Sequence, residues 1–203
     1  MITRFRRGCA ALSAASLMII LLTGCFDNDK SWNGKDISGL MPELKFNLIS
    51  SEGTAVSAED YSGHVRLLFF GFTSCPDVCP TALQKLNQAT SGLPPELQEK
   101  VLILFASVDP KRDTPERLAK YVNHFGTDIV GLTGEELQLR ELAKRYRTTF
   151  GYGDPDTDGN YPVSHSSAVY VFDRRGNARL LIRPDLSAKE IQDDLINLVQ
   201  ESS

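Results

Sequence analysis

Cysteine and histidine are scarce in this chain: 4 and 3 among 203 residues. Two of the cysteines, Cys9 and Cys25, fall in an N-terminal stretch that reads as a leader, so the domain proper keeps only Cys75 and Cys79. That excludes a disulfide framework of several bridges, a four-thiolate structural zinc site and an iron–sulfur cluster, which normally takes four cysteines. Basic residues are also in deficit. Lys and Arg number 22 against 26 Asp and Glu, for a formal charge of −4. A nucleic-acid binder needs a basic footprint, so that class is excluded. Long apolar runs, internal repeats and low-complexity segments are missing as well, and the length suits one domain with a good core.

What is present begins with the leader. Arg4, Arg6 and Arg7 form a positive start, and Ala10–Leu22 is uncharged and largely apolar, short for a membrane span but suited to a signal peptide. It ends in Leu22-Thr23-Gly24-Cys25, which resembles a bacterial lipobox. Residues 1–24 are therefore expected to be a lipoprotein signal peptide, with Cys25 lipidated, rather than an ordinary signal peptide or an uncleaved anchor. Their removal takes three arginines and no acids, which moves the formal charge from −4 to −7. Residues 25–40 read as a polar tether and 41–203 as the domain, exported and lipid-anchored on the periplasmic or outer face of a bacterial membrane.

Within the domain, Val65–Phe72 and Val101–Val108 are apolar runs of the kind buried on both faces of a sheet. Leu44–Ile49, Ile129–Leu132 and the pair Ala168–Asp173 and Ala178–Ile182 read as further strands. Thr81–Thr90, a helix opening at Asp113-Thr114-Pro115-Glu116, and Glu135–Tyr146 alternate with them. Ser187 with Glu190 makes a capping box for a last helix. The order predicts an α/β fold with a mixed central sheet flanked by helices.

Cys75-Pro76-Asp77-Val78-Cys79-Pro80 joins the first buried run to a helix. Open α/β sheets place ligands at such strand ends, and a helix N-terminus favours thiolate over thiol. Three residues between the cysteines, rather than two, depart from the usual redox dithiol. The pair can still close a disulfide, or its two sulfurs can bite one soft metal ion: Cu(I) or zinc. A third ligand would come from a loop at the same sheet end. His64 precedes the first buried run at the opposite end, and His124 reads as a surface residue late in a helix. His165 lies in a loop just before a strand and is the best placed, though placement alone leaves it a weak candidate.

Three separate motifs, Phe72–Thr81, Ser107–Glu116 and Ser164–Asp173, together resemble the SCO/SenC family over about residues 40–200. The resemblance implies a thioredoxin-like, peroxiredoxin-like fold. It implies copper, as Cu(I) or Cu(II), held by Cys75, Cys79 and His165, and a metallochaperone role in assembling the CuA centre of cytochrome c oxidase. Expected partners are the CuA-bearing oxidase subunit, another periplasmic copper chaperone or a thiol reductant, and the membrane through the lipid. Asp109 and Asp113 also match, and are expected to end a strand and cap a helix.

The alternatives use the same cysteines. One is a thiol–disulfide oxidoreductase, with Cys75 and Cys79 cycling through a disulfide and keeping the oxidase cysteines reduced. The other is a copper or redox sensor. Thioredoxin-type reductases carry a proline directly before the strand facing the dithiol. Here Ser166 and Ser167 stand there, and no proline occurs between Pro162 and Pro184. Asp154–Gly159 imitates the start of a calcium loop, but Pro162 at its ninth position and His165 at its twelfth do not fit. That segment is expected to be an acidic flap carrying His165 towards the cysteines.

Overall fold

A computed structural model describes residues 31–201. The expected signal peptide and the lipidation site Cys25 lie outside them. In chain order the elements are β1 Lys35–Asp36, β2 Asn47–Ser50, β3 Ala55–Ser57, β4 Val65–Gly71, α1 Val78–Ser91, α2 Pro95–Gln98, β5 Val101–Ser107, α3 Pro115–Asn123, β6 Ile129–Thr133, α4 Glu136–Arg145, β7 Gly151–Tyr152, β8 Val163–Ser164, β9 Val169–Phe172, β10 Ala178–Ile182 and α5 Ala188–Glu201. Among the described residues no helix is long and apolar enough to cross a membrane.

Eight strands form one sheet in the order β1-β10-β9-β4-β5-β6-β2-β3. β4, β5 and β6 run parallel, and every other pairing is antiparallel. The sheet is therefore mixed, as the element order predicts. All seven residues of β4 are buried, because it sits between β5 and β9 with helices on both faces. Its side chains alternate between two cores. Val65, Leu67 and Phe69 meet Leu83 and Leu86 of α1, Leu118 and Val122 of α3, and Ile191, Leu195 and Leu198 of α5. Leu68 and Phe70 face Leu139 and Leu142 of α4 with Phe46 and Tyr146. Each such Leu or Phe contributes about 1.5–3 kcal/mol relative to leaving it in water.

Two expectations change. Residues 32–40, expected to be part of the tether, belong to the folded unit, because β1 pairs with β10 and Ile37 is buried. Just ahead of β1, the amides of Asn33 and Gly34 donate to the two carboxylate oxygens of Asp194 on α5, at 3.0 and 2.8 Å. The buried carboxylate docks this segment, which composition alone presents as a polar linker. The strand expected from Leu44 starts at Asn47, since the Leu44 amide bonds to the Gly176 carbonyl, away from β3. The capping box of α5 is present: Ser187 N and Oγ both donate to Glu190.

Candidate metal centre

β4 ends at Gly71 and α1 begins at Val78, so Cys75 lies in the connecting loop and Cys79 in the first helical turn. Cys79 is fully buried against the core of α1, while Cys75 is half-buried. Both are free thiols. Cys75 is partly exposed and Cys79 is not, so the site opens to solvent on the Cys75 side.

His165 arrives from the other direction. β7 and β8 pair as a hairpin, and the chain from β8 leads through His165 into β9, the antiparallel neighbour of β4. The ring stands edge-on to Phe72, with centroids 5.6 Å apart, and near Phe69 at 6.1 Å. Its Nε2 lies 3.5 Å from Cys79 Sγ and 3.9 Å from Cys75 Sγ. Among the described residues, these three donor atoms form a group within 4.8 Å of one another, suited to a metal ion. His165 Nδ1 sits 2.9 Å from the Ser166 carbonyl oxygen. A carbonyl only accepts, so Nδ1 carries the proton and Nε2 presents its lone pair to the sulfurs.

The electrostatics refine the expected role of the helix terminus. The Cys79 amide at the start of α1 donates to the sulfur of Cys75, at 3.4 Å. Cys79 itself is governed by burial, which pushes its thiol far above the ordinary range and outweighs the opposing Phe72 amide. Gly71 makes this packing possible. A Cβ there would fall 2.5 Å from Phe105 Cε2 and 2.7 Å from Cys79 Sγ.

Two acids with expected local roles also serve the site: Asp109 follows the end of β5 as expected, while Asp113 is not the helix cap. The helix cap of α3 is Thr114, whose hydroxyl accepts from Arg117 N. Asp113 is buried and braces the cysteine loop. It accepts from Thr73 N at 2.8 Å, Thr73 Oγ1 at 2.6 Å and Ser107 Oγ at 2.6 Å. Arg117 completes the clamp by donating to Thr73 Oγ1 and Ser74 Oγ. Asp109, also buried, accepts from Tyr161 Oη at 2.6 Å and from Arg112, whose guanidinium lies over the Tyr161 ring at 3.9 Å. The flap that carries His165 is thus tied to the end of β5. Its acidic tip folds on itself: Asp156 accepts from the amides of Asp158 and Asn160. The only sequence signal for these roles is that both acids follow a buried strand at its ligand-bearing end.

The other histidines stay apart from this group. His64 precedes β4 at the far end of the strand, and His124 is an exposed residue closing α3. Asp77 is exposed beside Val78, and its carboxylate accepts from Thr81 Oγ1.

Comparison with known proteins agrees with this geometry. The SCO1/SenC family model matches residues 40–200. A SCO2-like protein of Rickettsia prowazekii is 38% identical over 151 residues, covering 73% of this chain and 72% of its own. ScoI of Bradyrhizobium japonicum, solved with copper bound, is 31% identical with a TM-score of 0.70, covering 77% of this chain and 99% of that one. Apo Sco1 of Thermus thermophilus is 36% identical with a TM-score of 0.73, covering 83% and 98%. The α/β sheet with its helices is therefore the thioredoxin-like fold of Sco proteins, and the chain belongs to the SCO1/SenC family.

Proposed function

We propose that this protein is a copper metallochaperone that takes one copper ion on Cys75 Sγ, Cys79 Sγ and His165 Nε2 and passes it to the CuA-bearing subunit of cytochrome c oxidase. One observation carries the reading: three soft-metal donors converge within 4.8 Å, with the imidazole fixed in the tautomer that binds metal. The donor set fits the ion. Two thiolates and an imidazole suit copper, whereas structural zinc normally takes four protein ligands. The relative from Bradyrhizobium japonicum that was solved with copper bound supports the same choice. The exposed side of the site gives an incoming ligand access to the metal, which delivery requires. Lipid anchoring through Cys25 on the outer face of a bacterial membrane completes the proposal.

Copper titration of the purified full chain tests it. The expected result is about one copper per chain, with His165→Ala binding weakened more than about 100-fold, beyond what loss of an outer-shell partner costs. Unchanged affinity in that variant would exclude the site.

A second reading rests on the unequal burial of the two free thiols. Cys75 is reachable, and the Cys79 amide donates to its sulfur. In this reading Cys75 attacks a partner disulfide and forms a mixed disulfide. Cys79 then displaces the partner, which leaves with both thiols reduced, and a thiol reductant resets the Cys75–Cys79 disulfide. His165→Ala separates the two, since exchange survives the change and copper binding does not.

A further inference from the structure

Arg112 lies in the loop between β5 and α3 and turns back over it. Its backbone N–H donates to the Asp109 carbonyl at 3.1 Å, and its Nε donates to the Asp109 carboxylate. The guanidinium lies over the Tyr161 ring, 3.9 Å from its centroid, and over the Phe72 ring at 5.7 Å. Both distances fall within the roughly 6 Å over which a cation is attracted to an aromatic face. Phe72 is the ring to which His165 stands edge-on, at 5.6 Å. One guanidinium thus joins three pieces of chain: the end of β5, the flap four residues before His165, and the loop that leads to Cys75.

The residue type is informative. Arg112 Nη2 is buried and has no hydrogen-bond partner among the described residues, which costs free energy. A lysine could also meet Asp109 as a point charge, without that spare donor, but it has no flat face to lay on two rings. The contacts that need an arginine are therefore those to Tyr161 and Phe72.

We infer that Arg112 is a positioning residue of the metal centre: stacked on Tyr161 of the flap and on Phe72, it fixes the ring against which the His165 imidazole presents Nε2 to the two sulfurs. The inference deepens the proposed copper site and rests on it. The Nδ1 contact with the Ser166 carbonyl turns the imidazole within its own loop. Arg112 sets where that loop stands relative to the cysteines, and so maintains the 3.5 and 3.9 Å separations of Nε2 from Cys79 Sγ and Cys75 Sγ.

Arg112→Lys in the full chain tests this, since it keeps the charge and removes the plane. The first readout is the carbon-bound imidazole proton signals of the metal-free protein in NMR. The chain has three histidines, and His64 and His124, away from the site, serve as internal references. The His165 signals are expected to broaden and to lose the shift imposed by the Phe72 ring, while the other two stay in place. The second readout is Cu(I) affinity in a double-mutant cycle with His165→Ala. Arg112→Lys is expected to weaken binding by about 10–100-fold when His165 is present, the range typical of outer-shell partners, and to have little effect when it is absent. Should Arg112→Lys not fold, Tyr161→Leu removes the flap-side ring instead and is expected to give the same two results. Unmoved His165 signals, or an equal loss of affinity in the His165→Ala background, would overturn the inference. The placement of His165 would then fall to the β7–β8 hairpin, whose Tyr152 Oη donates to the Val108 carbonyl at 2.7 Å. If the His165 signals move while wild-type protein takes up no copper, the positioning contact stands and the copper assignment falls.

Discussion

The sulfur of Cys79 lies 3.5 Å from Nε2 of His165, although 86 positions separate them in the chain. The antiparallel pairing of β4 with β9 brings them together. Phe69 is in register with Val169, so the residues leaving β4 pass those entering β9. One ligand pair rides on the strand-to-helix junction and the third ligand rides on the neighbouring strand's approach. The metal centre thus closes across two strands, and what holds each side rigid sets its strength.

On the cysteine side, Gly71→Ala is expected to be costly. Its Cβ would press on Phe105 and on Cys79 Sγ at contacts of 2.5–2.7 Å, with both neighbours held in the core. Overpacking of this kind costs about 1–3 kcal/mol. Denaturant unfolding should show a lowered midpoint, and competition with a chelator should show weaker copper binding. Retention of both at wild-type values would mean that the sulfur and ring move aside freely.

Asp113→Ala removes the acceptor of three hydrogen bonds, from Thr73 N, Thr73 Oγ1 and Ser107 Oγ. The expected loss is about 2–4 kcal/mol, because buried donors are left unpaired. Amide exchange in Phe72–Cys75 should accelerate. If protection there is unchanged, Asp113 does not brace the loop.

On the histidine side, Tyr161→Phe keeps the ring beneath Arg112 and removes only the donor to Asp109. It is expected to destabilise the flap by about 1–2 kcal/mol. Limited proteolysis between Gly153 and Pro162 should quicken, with copper stoichiometry unaltered. Equal cleavage rates would show that the flap is held elsewhere.

Copper uptake should depend on pH with a definite sign. Burial raises the Cys79 thiol, so at neutral pH the metal-free site holds this proton, and binding must release it. Affinity is expected to rise with pH, by about tenfold per unit for each proton displaced. Calorimetry in buffers of different ionisation enthalpy counts those protons. A count of zero at neutral pH would mean that Cys79 is already ionised.

How much of this was legible beforehand depended on the range of the interaction. The parallel strands β4 and β5 stand out as unbroken apolar runs, and the α5 capping box is written within four residues. The docking of Asn33 and Gly34 on Asp194 left no trace, because a polar segment bound by one buried carboxylate has the composition of a linker. Asp113 reads as a cap in the sequence for a related reason: Asp-Thr-Pro-Glu is a good cap sequence, and the choice between its first two residues is made by Thr73, 40 positions away.

By itself, then, the sequence determined the mixed α/β sheet, the paired cysteines at a strand-to-helix junction and the family, since these depend on periodicity and on residues adjacent in the chain. Tertiary structure alone decided that His165 rather than His64 or His124 joins the cysteines, that its Nε2 is the free nitrogen, and that burial governs Cys79. It also assigned Gly71, Asp113 and Tyr161 to the support of the site. Such contacts arise where strands and loops distant in sequence are packed side by side, and desolvation and register exist only once that packing has formed.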